Sequence, residues 1–142
     1  MRWVFMRLSQ HYLDNQPTFK YYSATELNEE INRSDLYVHA ADVEIEGISC
    51  LEAISGGLVP LIARAEKSAT KQFIIDQRCG FQAGSAKDLS QKIDFFIENT
   101  DQKKQISRSY LKYVRQFKLE YATIKMEEML AYAIKQTSQR RP

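Results

Sequence analysis

The chain has 142 residues, of which 44% are hydrophobic and 27% charged, and its formal net charge is +2. This length suits one domain, and so weak a positive charge gives no indication of nucleic-acid binding. The 2 cysteines lack metal-site spacing, and no apolar run approaches the ~20 residues of a membrane-spanning helix. We therefore expect a single domain over residues 1–142 in a reducing, cytoplasmic compartment.

The amino-terminal part predicts two helices and one short strand. Apolar residues are dense on more than one face of residues 2–14, which indicates a helix that a glutamine–proline pair ends. Residues 18–22 have the composition of a short strand. Ser23 and Glu26 have the spacing of a capping box, which predicts the start of a second helix there.

The most informative segment covers residues 35–63. An apolar strand over residues 36–39 enters an acidic loop, a helix follows over residues 48–55, and a diglycine precedes a strand over residues 59–63. In open parallel sheets, ligands bind where such loops leave the carboxyl ends of strands. The segment therefore predicts both a fold class and a ligand site.

The rest of the chain predicts mostly helices. After a polar loop we expect a helix over residues 70–76 and a short edge strand over residues 81–83. A second capping-box pattern predicts a helix over residues 86–99, and two further helices are expected near residues 102–118 and 121–136. This order of elements predicts an α/β fold: a Rossmann-like parallel sheet flanked by helices.

The central loop and the helix after it carry groups suited to phosphate and to hydroxyls. The first amides of the helix, at Ile48 and Ser49, have no acceptors within it, and with the helix dipole they favour an anion. Gly47 lets a ligand approach the backbone. Glu52 shares a helix face with Ser49 and suits a ribose diol, while Glu44 can reach hydroxyls beyond the phosphates. The arrangement fits a nucleotide sugar.

A structural explanation of the same residues stays open. Acids stabilise helix starts by themselves, and acids in loops are ordinarily solvated. His39, at the end of the first strand, could touch a ligand or serve only in packing. Arg64 follows the second strand and could add positive charge near a phosphate, or it could be a solvated loop residue. Cys50 lies in the helix and is expected to be buried packing.

Three adjacent segments resemble a known family. Residues 44–53, E-I-E-G-I-S-C-L-E-A, resemble the E-x7-E motif of retaining, family-4-type glycosyltransferases (glycosyl transferases group 1) with the GT-B fold. Residues 35–40 and 54–62 resemble the neighbouring strands of that family in order and spacing. A weaker resemblance extends over residues 17–135. The variant motif is similar to bacterial capsule and lipopolysaccharide transferases.

The resemblance implies roles for the motif residues. In that family the first glutamate contacts hydroxyls of the donor sugar, which gives Glu44 the catalytic and donor-binding role. The second glutamate, here Glu52, holds the ribose. The helix start at Gly47, Ile48 and Ser49 would bind the diphosphate. The implied reaction is retaining transfer of a hexose from a nucleotide sugar, expected to be a UDP-sugar, to a polysaccharide or lipid-linked acceptor, with no metal or other cofactor.

The motif departs from the usual family form at two positions. Ile45 and Glu46 stand where the family usually has a glycine and an aromatic residue. Glu46 could therefore take the place of Glu44 as the sugar ligand in a shifted register. We prefer Glu44, because Gly47 then also aligns with the motif.

The resemblance covers the donor-nucleotide half of a two-lobed enzyme. It implies a donor-binding core over residues 17–100 and carboxy-terminal helices over residues 101–142. The family's basic diphosphate-binding loop and its acceptor-binding lobe have no counterpart before Thr18. We therefore expect an incomplete donor lobe that is inactive without a separate amino-terminal lobe or subunit.

Two alternatives come from other classes of function. The first is a non-catalytic module that binds a nucleotide sugar or a partner subunit. The second is a basic-surface protein that contacts nucleic acid or a membrane, because Lys104, Arg108, Lys112 and Arg115 recur along one predicted helix face. A solvated face over a core stripe explains these cations more simply, so we expect no nucleic-acid partner. Peripheral contact with the inner face of the membrane is the remaining form of this alternative.

Overall fold

The structure, a computed structural model, describes the backbone of residues 2–139, and their side chains except at residues 2–5, 8 and 137–139. The chain divides into two compact units, with the boundary after Glu30. The first unit contains helix α1 (Arg2–Tyr12) and most of helix α2 (Ala24–Arg33). The helix predicted at the start of the chain is thereby confirmed.

The capping box predicted for α2 is present. The Ser23 amide donates to Glu26 Oε2 over 2.9 Å, and the Glu26 amide donates to Ser23 Oγ over 3.3 Å. The strand predicted over residues 18–22 is wrong, because no strand in the described part of the chain pairs with this segment. Its Lys20 ammonium instead donates to Glu26 Oε1 over 2.6 Å.

The second unit contains two parallel sheets. In chain order the strands are β1 (Leu36–His39), β2 (Val43–Glu44), β3 (Val59–Ala63), β4 (Lys67–Ser68) and β5 (Gly80–Phe81). The larger sheet has the order β1-β3-β5, and the smaller sheet pairs β2 with β4. The predicted parallel sheet is confirmed, β1 and β3 have the predicted bounds, and β5 overlaps the expected edge strand. The small sheet was not predicted, since two-residue strands carry no periodic signal.

Four α-helices complete this unit in the described residues. They are α3 (Ile48–Ser55), α4 (Ala86–Glu98), α5 (Thr100–Tyr113) and α6 (Leu119–Gln139). The helix predicted over residues 70–76 is instead a 3₁₀ helix, Ala69–Phe73, closed by an i→i+3 bond from the Ile74 amide to the Lys71 carbonyl over 3.2 Å. The helix predicted to reach residue 118 ends at Tyr113 and continues as a 3₁₀ helix, Val114–Phe117.

The core is built around the central strand. Every residue of β3 is buried, and helices α3, α4 and α5 each pack against it. Apolar residues at helical spacing supply the covering faces, as the sequence pattern predicts. The core side chains from these helices are Cys50, Ile54, Phe96, Ile106 and Tyr110. Because helices cover the central strand along its length, the position of its carboxyl end is fixed. The loops that leave this end therefore also start from a fixed position.

Helix α6 differs from the core helices. Its side chains from Leu119 to Lys135 are all exposed, and large apolar residues such as Met129 and Ile134 are among them. Among residues 2–139, none of the helices combines the length and the apolar character that a membrane crossing requires.

Candidate functional site

The candidate site lies where two loops leave the carboxyl ends of β1 and β3. The first loop runs from His39 through β2 into α3, and the second runs from Arg64 through β4. Pairing of β2 with β4 places Glu44 opposite Ser68, so the small sheet joins the two loops. All of the predicted site residues lie at the end of β1, in these loops or on α3.

An open pocket follows the first loop into the helix. Residues 43–49 line it, and its volume is about 550 Å³. The pocket therefore brings together five of the predicted site residues: Glu44, Glu46, Gly47, Ile48 and Ser49. Glu52 is exposed on α3, three residues after Ser49, and lies outside the pocket lining.

Glu44 organises its own loop. Its Oε1 accepts hydrogen bonds from the amides of Ile45, Glu46 and Gly47 over 3.0, 3.3 and 3.3 Å. The amides of Glu46 and Gly47 contribute most to holding the pKa of the Glu44 carboxyl below its usual value. The carboxylate is therefore ionised at neutral pH, and Oε2 stays available to accept a further hydrogen bond.

Gly47 is fixed by both conformation and packing. Its φ of 76° lies in the left-handed region that favours glycine. A Cβ atom at this position would lie 2.5 Å from Thr70 Cγ2 and 3.0 Å from Phe73 Cε2. The sequence suggested that this glycine opens the backbone to a ligand, and the structure adds that it lets the 3₁₀ helix after β4 pack against the start of α3.

The start of α3 has the free amides that the sequence predicts. The amides of Cys50 and Leu51 donate to the Gly47 carbonyl over 3.0 and 3.2 Å. Within the described residues, no hydrogen bond engages the amides of Ile48 and Ser49, and both residues are exposed. Two backbone donors at the positive end of a helix dipole are thus unengaged, and both belong to residues that line the pocket.

A chain of polar side chains connects the helix start to Glu44. The Tyr37 hydroxyl lies 3.0 Å from Ser49 Oγ and 3.0 Å from His39 Nδ1. The His39 ring is 7% exposed, and its buried Nε2 has no hydrogen-bond partner among the described residues. The nearest carboxylate oxygen, Glu44 Oε2, is 3.9 Å from that nitrogen. Sequence reasoning missed Tyr37, although its place two residues before His39 on one strand puts both side chains on the same face.

Arg64 does not line the pocket, and its guanidinium binds Gln77 instead. Its Nη2 donates to the Gln77 carbonyl over 3.1 Å and to Gln77 Oε1 over 2.7 Å. The guanidinium also lies so close to Gly80 that a side chain there would collide with it. Arg64 thus ties β3 to the turn before β5, and its proposed contact with a phosphate stays a prediction.

Cys50 is a core residue, and the described part of the chain offers no cluster of potential metal ligands. Among residues 2–139 we find no group of three or more histidine, cysteine, aspartate or glutamate side chains that could hold a metal ion. Cys50 is fully buried, and burial raises the pKa of its thiol to about 12. The thiol is therefore protonated and packs in the core, as the sequence indicated.

Comparison with known proteins identifies the fold and the family. The crystal structure of the catalytic domain of cholesterol-alpha-glucosyltransferase from Helicobacter pylori is similar, with a TM-score of 0.76 and 40% sequence identity over 83% of this chain and 74% of that chain. We find no match among curated proteins. The similarity shows that the α/β unit has the fold of a GT-B glycosyltransferase domain. The sequence model of the family described as Glycosyl transferases group 1 matches residues 6–112, and the chain belongs to that family.

Proposed function

We propose that this chain binds the nucleotide-sugar donor of a retaining, family-4-type glycosyltransferase. The reaction would be transfer of a hexose from a UDP-sugar to a polysaccharide or lipid-linked acceptor, as in capsule or lipopolysaccharide synthesis. The observation that carries the proposal is the placement of two unbonded amides, at Ile48 and Ser49, between the carboxylates of Glu44 and Glu52 along the chain. Membership of the group 1 family supports it.

Each part of the donor has a matching group in this proposal. The diphosphate accepts hydrogen bonds from the amides at the start of α3, where the helix dipole also favours negative charge. The ribose diol donates hydrogen bonds to the carboxylate of Glu52, which lies one helical turn further on. A sugar hydroxyl takes Oε2 of Glu44, since Oε1 is already held by the loop amides. The pocket of residues 43–49 lies beside these groups.

Retention is supported by the similar solved structure. That enzyme is named as an α-glucosyltransferase, and an α-glucoside formed from an α-linked nucleotide sugar keeps the configuration of its anomeric carbon. Its named acceptor, cholesterol, supports a lipid acceptor over a polysaccharide. We propose glucose as the first hexose to test on the same ground.

The chemistry of the proposed reaction is electrostatic. Negative charge develops on the departing diphosphate, and amides fixed in advance stabilise that charge without reorganisation. Transfer also requires an acceptor held against the donor sugar, so we propose an acceptor-binding lobe in the same or another polypeptide chain. If the chain binds donor and supports no transfer with such a lobe, the non-catalytic alternative is correct.

Binding is tested by calorimetric titration of the chain with UDP and UDP-glucose. We expect saturable binding of both. In Glu44→Gln the amide oxygen can still accept from the loop amides, but the charge is lost. The affinity for UDP-glucose relative to UDP should fall about tenfold, as expected for one charge-assisted hydrogen bond of roughly 1.5 kcal/mol. An unchanged ratio would contradict the role of Glu44, and a folded chain that binds neither ligand would contradict the proposal.

One observation bears on the basic-surface alternative. Lys104 and Arg108 line an open pocket of about 330 Å³ that also contains residues 56–59, at the amino end of β3. Lys103 in the same pocket donates to Asp35 over 2.6 Å, which neutralises part of the charge. Binding to nucleic acid or anionic vesicles that falls steeply with salt would favour this alternative. Saturable UDP binding by a chain that binds neither nucleic acid nor vesicles would favour donor binding.

A further inference from the structure

We propose that Tyr37 is a positioning residue that bridges Ser49 and His39 and so holds the Nε2–H of His39 toward the carboxylate of Glu44. The bridge itself is a property of the free chain. Its consequence, a fixed carboxylate beside the donor sugar, rests on the proposed function.

The geometry follows from strand and helix periodicity. Tyr37 and His39 alternate with Val38 on β1, so they share one face of the strand, and Val38 is exposed on the other. Helix α3 packs on β1 and brings Ser49 to the Tyr37 hydroxyl. The 3.0 Å distances from that hydroxyl to Ser49 Oγ and to His39 Nδ1 are both hydrogen-bonding distances.

The charge on Glu44 selects the direction of these hydrogen bonds. Its ionised carboxylate can only accept, and its Oε2 lies 3.9 Å from the buried Nε2 of His39. A protonated Nε2 is attracted to that oxygen, whereas a lone pair would be repelled by it and left buried without a donor. The geometry therefore favours a proton on Nε2, and Nδ1 is the acceptor.

The direction of the two hydrogen bonds at the Tyr37 hydroxyl follows from this assignment. Burial raises the pKa of the Tyr37 phenol, so its hydroxyl keeps its proton and donates it to His39 Nδ1. The Tyr37 oxygen in turn accepts from Ser49 Oγ–H. Ser49 therefore has its hydroxyl proton committed to Tyr37 and offers only its amide to an anion at the helix start.

The arrangement constrains both oxygens of Glu44. Backbone amides hold Oε1, and the imidazole N–H faces Oε2. A shift of about 1 Å in the carboxylate would bring Oε2 within hydrogen-bonding distance of Nε2. If a bound sugar hydroxyl draws the Glu44 carboxylate toward His39, the Nε2–H of His39 can donate to Oε2. This second hydrogen bond would stabilise the ionised carboxylate.

The test is the tautomer of His39 in the free chain, read from proton–nitrogen correlation spectra of the imidazole rings. The chain has 2 histidines, and exposed His11 is an internal reference in every spectrum. We expect wild-type His39 to carry its proton on Nε2. Tyr37→Phe removes only the hydroxyl and should raise the Nδ1–H fraction of His39 while leaving His11 unchanged.

A matched control removes another partly buried hydroxyl. Tyr113→Phe deletes a hydroxyl 3.5 Å from the Gln72 carbonyl and should leave the His39 spectrum as in wild type. A wild-type His39 protonated on Nδ1, or a His39 spectrum that Tyr37→Phe leaves unchanged, would overturn the proposal. A spectrum that changes equally in both variants would also overturn it, because the effect would then be general packing.

Titration with UDP and UDP-glucose separates this proposal from the proposed function. If the bridge positions Glu44, Tyr37→Phe should keep its UDP affinity and lose affinity for UDP-glucose, and Tyr113→Phe should lose neither. Equal affinities of wild type and Tyr37→Phe for UDP-glucose would overturn the positioning role. A wild-type chain with the expected tautomer that binds neither ligand would contradict the proposed function and leave the bridge standing.

Discussion

At the scale of single residues, Glu44 combines a structural with a proposed chemical role. One carboxylate oxygen closes the loop by accepting from three successive amides, and the other faces the imidazole of His39. The spacing of Glu44 and Glu52 was readable from the sequence, because motif and helix periodicity both depend on it. The hydrogen bonds by which Glu44 caps its loop could not be read from the sequence, since any of the nearby acids could have accepted them. For Tyr37, the sequence indicated only that its side chain shares a face of the strand with His39.

The structural role of Glu44 predicts a pH-dependent loss of stability in Glu44→Ala. The loop amides lower the pKa of Glu44 in the folded chain, so its contribution is present above the unfolded pKa and is lost as the pH falls through the folded pKa. In urea unfolding, the variant should be less stable than wild type at about pH 7, and the difference should shrink toward about pH 3.

Glu46→Ala is the matched control for that experiment. Glu46 is exposed in the same loop and carries the same charge, and no described group hydrogen-bonds to its carboxylate. It should leave stability close to that of wild type at both pH values. Equal destabilisation by the two substitutions would show that loop charge, and not the cap, is what matters.

At the scale of elements, the regular strands and helices were predictable and the connections between them were not. Strand β1 is a run of three apolar residues that ends in His39, and β3 is a run of five apolar residues. Helix α3 lies between a glycine and a diglycine, so the bounds of all three elements could be read from the sequence. The pairing of β2 with β4 depends on tertiary contacts of two residues each. Residues 18–22 show the converse, since their strand-like composition did not lead to pairing with any of the described strands.

The approach of the 3₁₀ helix Ala69–Phe73 to α3 predicts a large effect of Gly47→Ala. The left-handed conformation alone should cost roughly 1–2 kcal/mol. Overpacking against Thr70 and Phe73 should add roughly 1–3 kcal/mol. Gly84→Ala is the control, because Gly84 also has a positive φ, 75°, but no described atom lies within 4 Å of the position that its Cβ would take. Equal losses in urea unfolding would contradict the packing role of Gly47.

At the scale of the whole molecule, the core of the second unit surrounds β3 and places the candidate site at its carboxyl end. The fold class could be predicted because the order of elements determines the layered arrangement. The division of the chain after Glu30 could not, since it falls inside α2 and leaves no mark in composition. The exposure of the large apolar residues of α6, such as Met129 and Ile134, likewise depends on tertiary contacts that the sequence pattern does not show.

The core predicts that both thiols report on unfolding. Cys50 and Cys79 are fully buried, and burial raises their pKa values to about 12 and about 11. A thiol reagent at about pH 8 should therefore react with neither in the native chain and with both in urea. Ser90→Cys places a thiol on the exposed side of α4 and should react at once. Native reaction of Cys50 or Cys79 as fast as that control would contradict the described core.

The most direct test of the account is calorimetric titration with UDP of wild type, Glu52→Ala and Glu98→Ala. Glu98 is an exposed helical glutamate at the end of α4, so its loss controls for charge alone. We predict saturable binding by wild type and Glu98→Ala, and affinity at least about tenfold weaker in Glu52→Ala, because a ribose diol would lose a charge-assisted hydrogen bond. Equal UDP binding by all three chains would contradict the placement of the nucleotide at the start of α3.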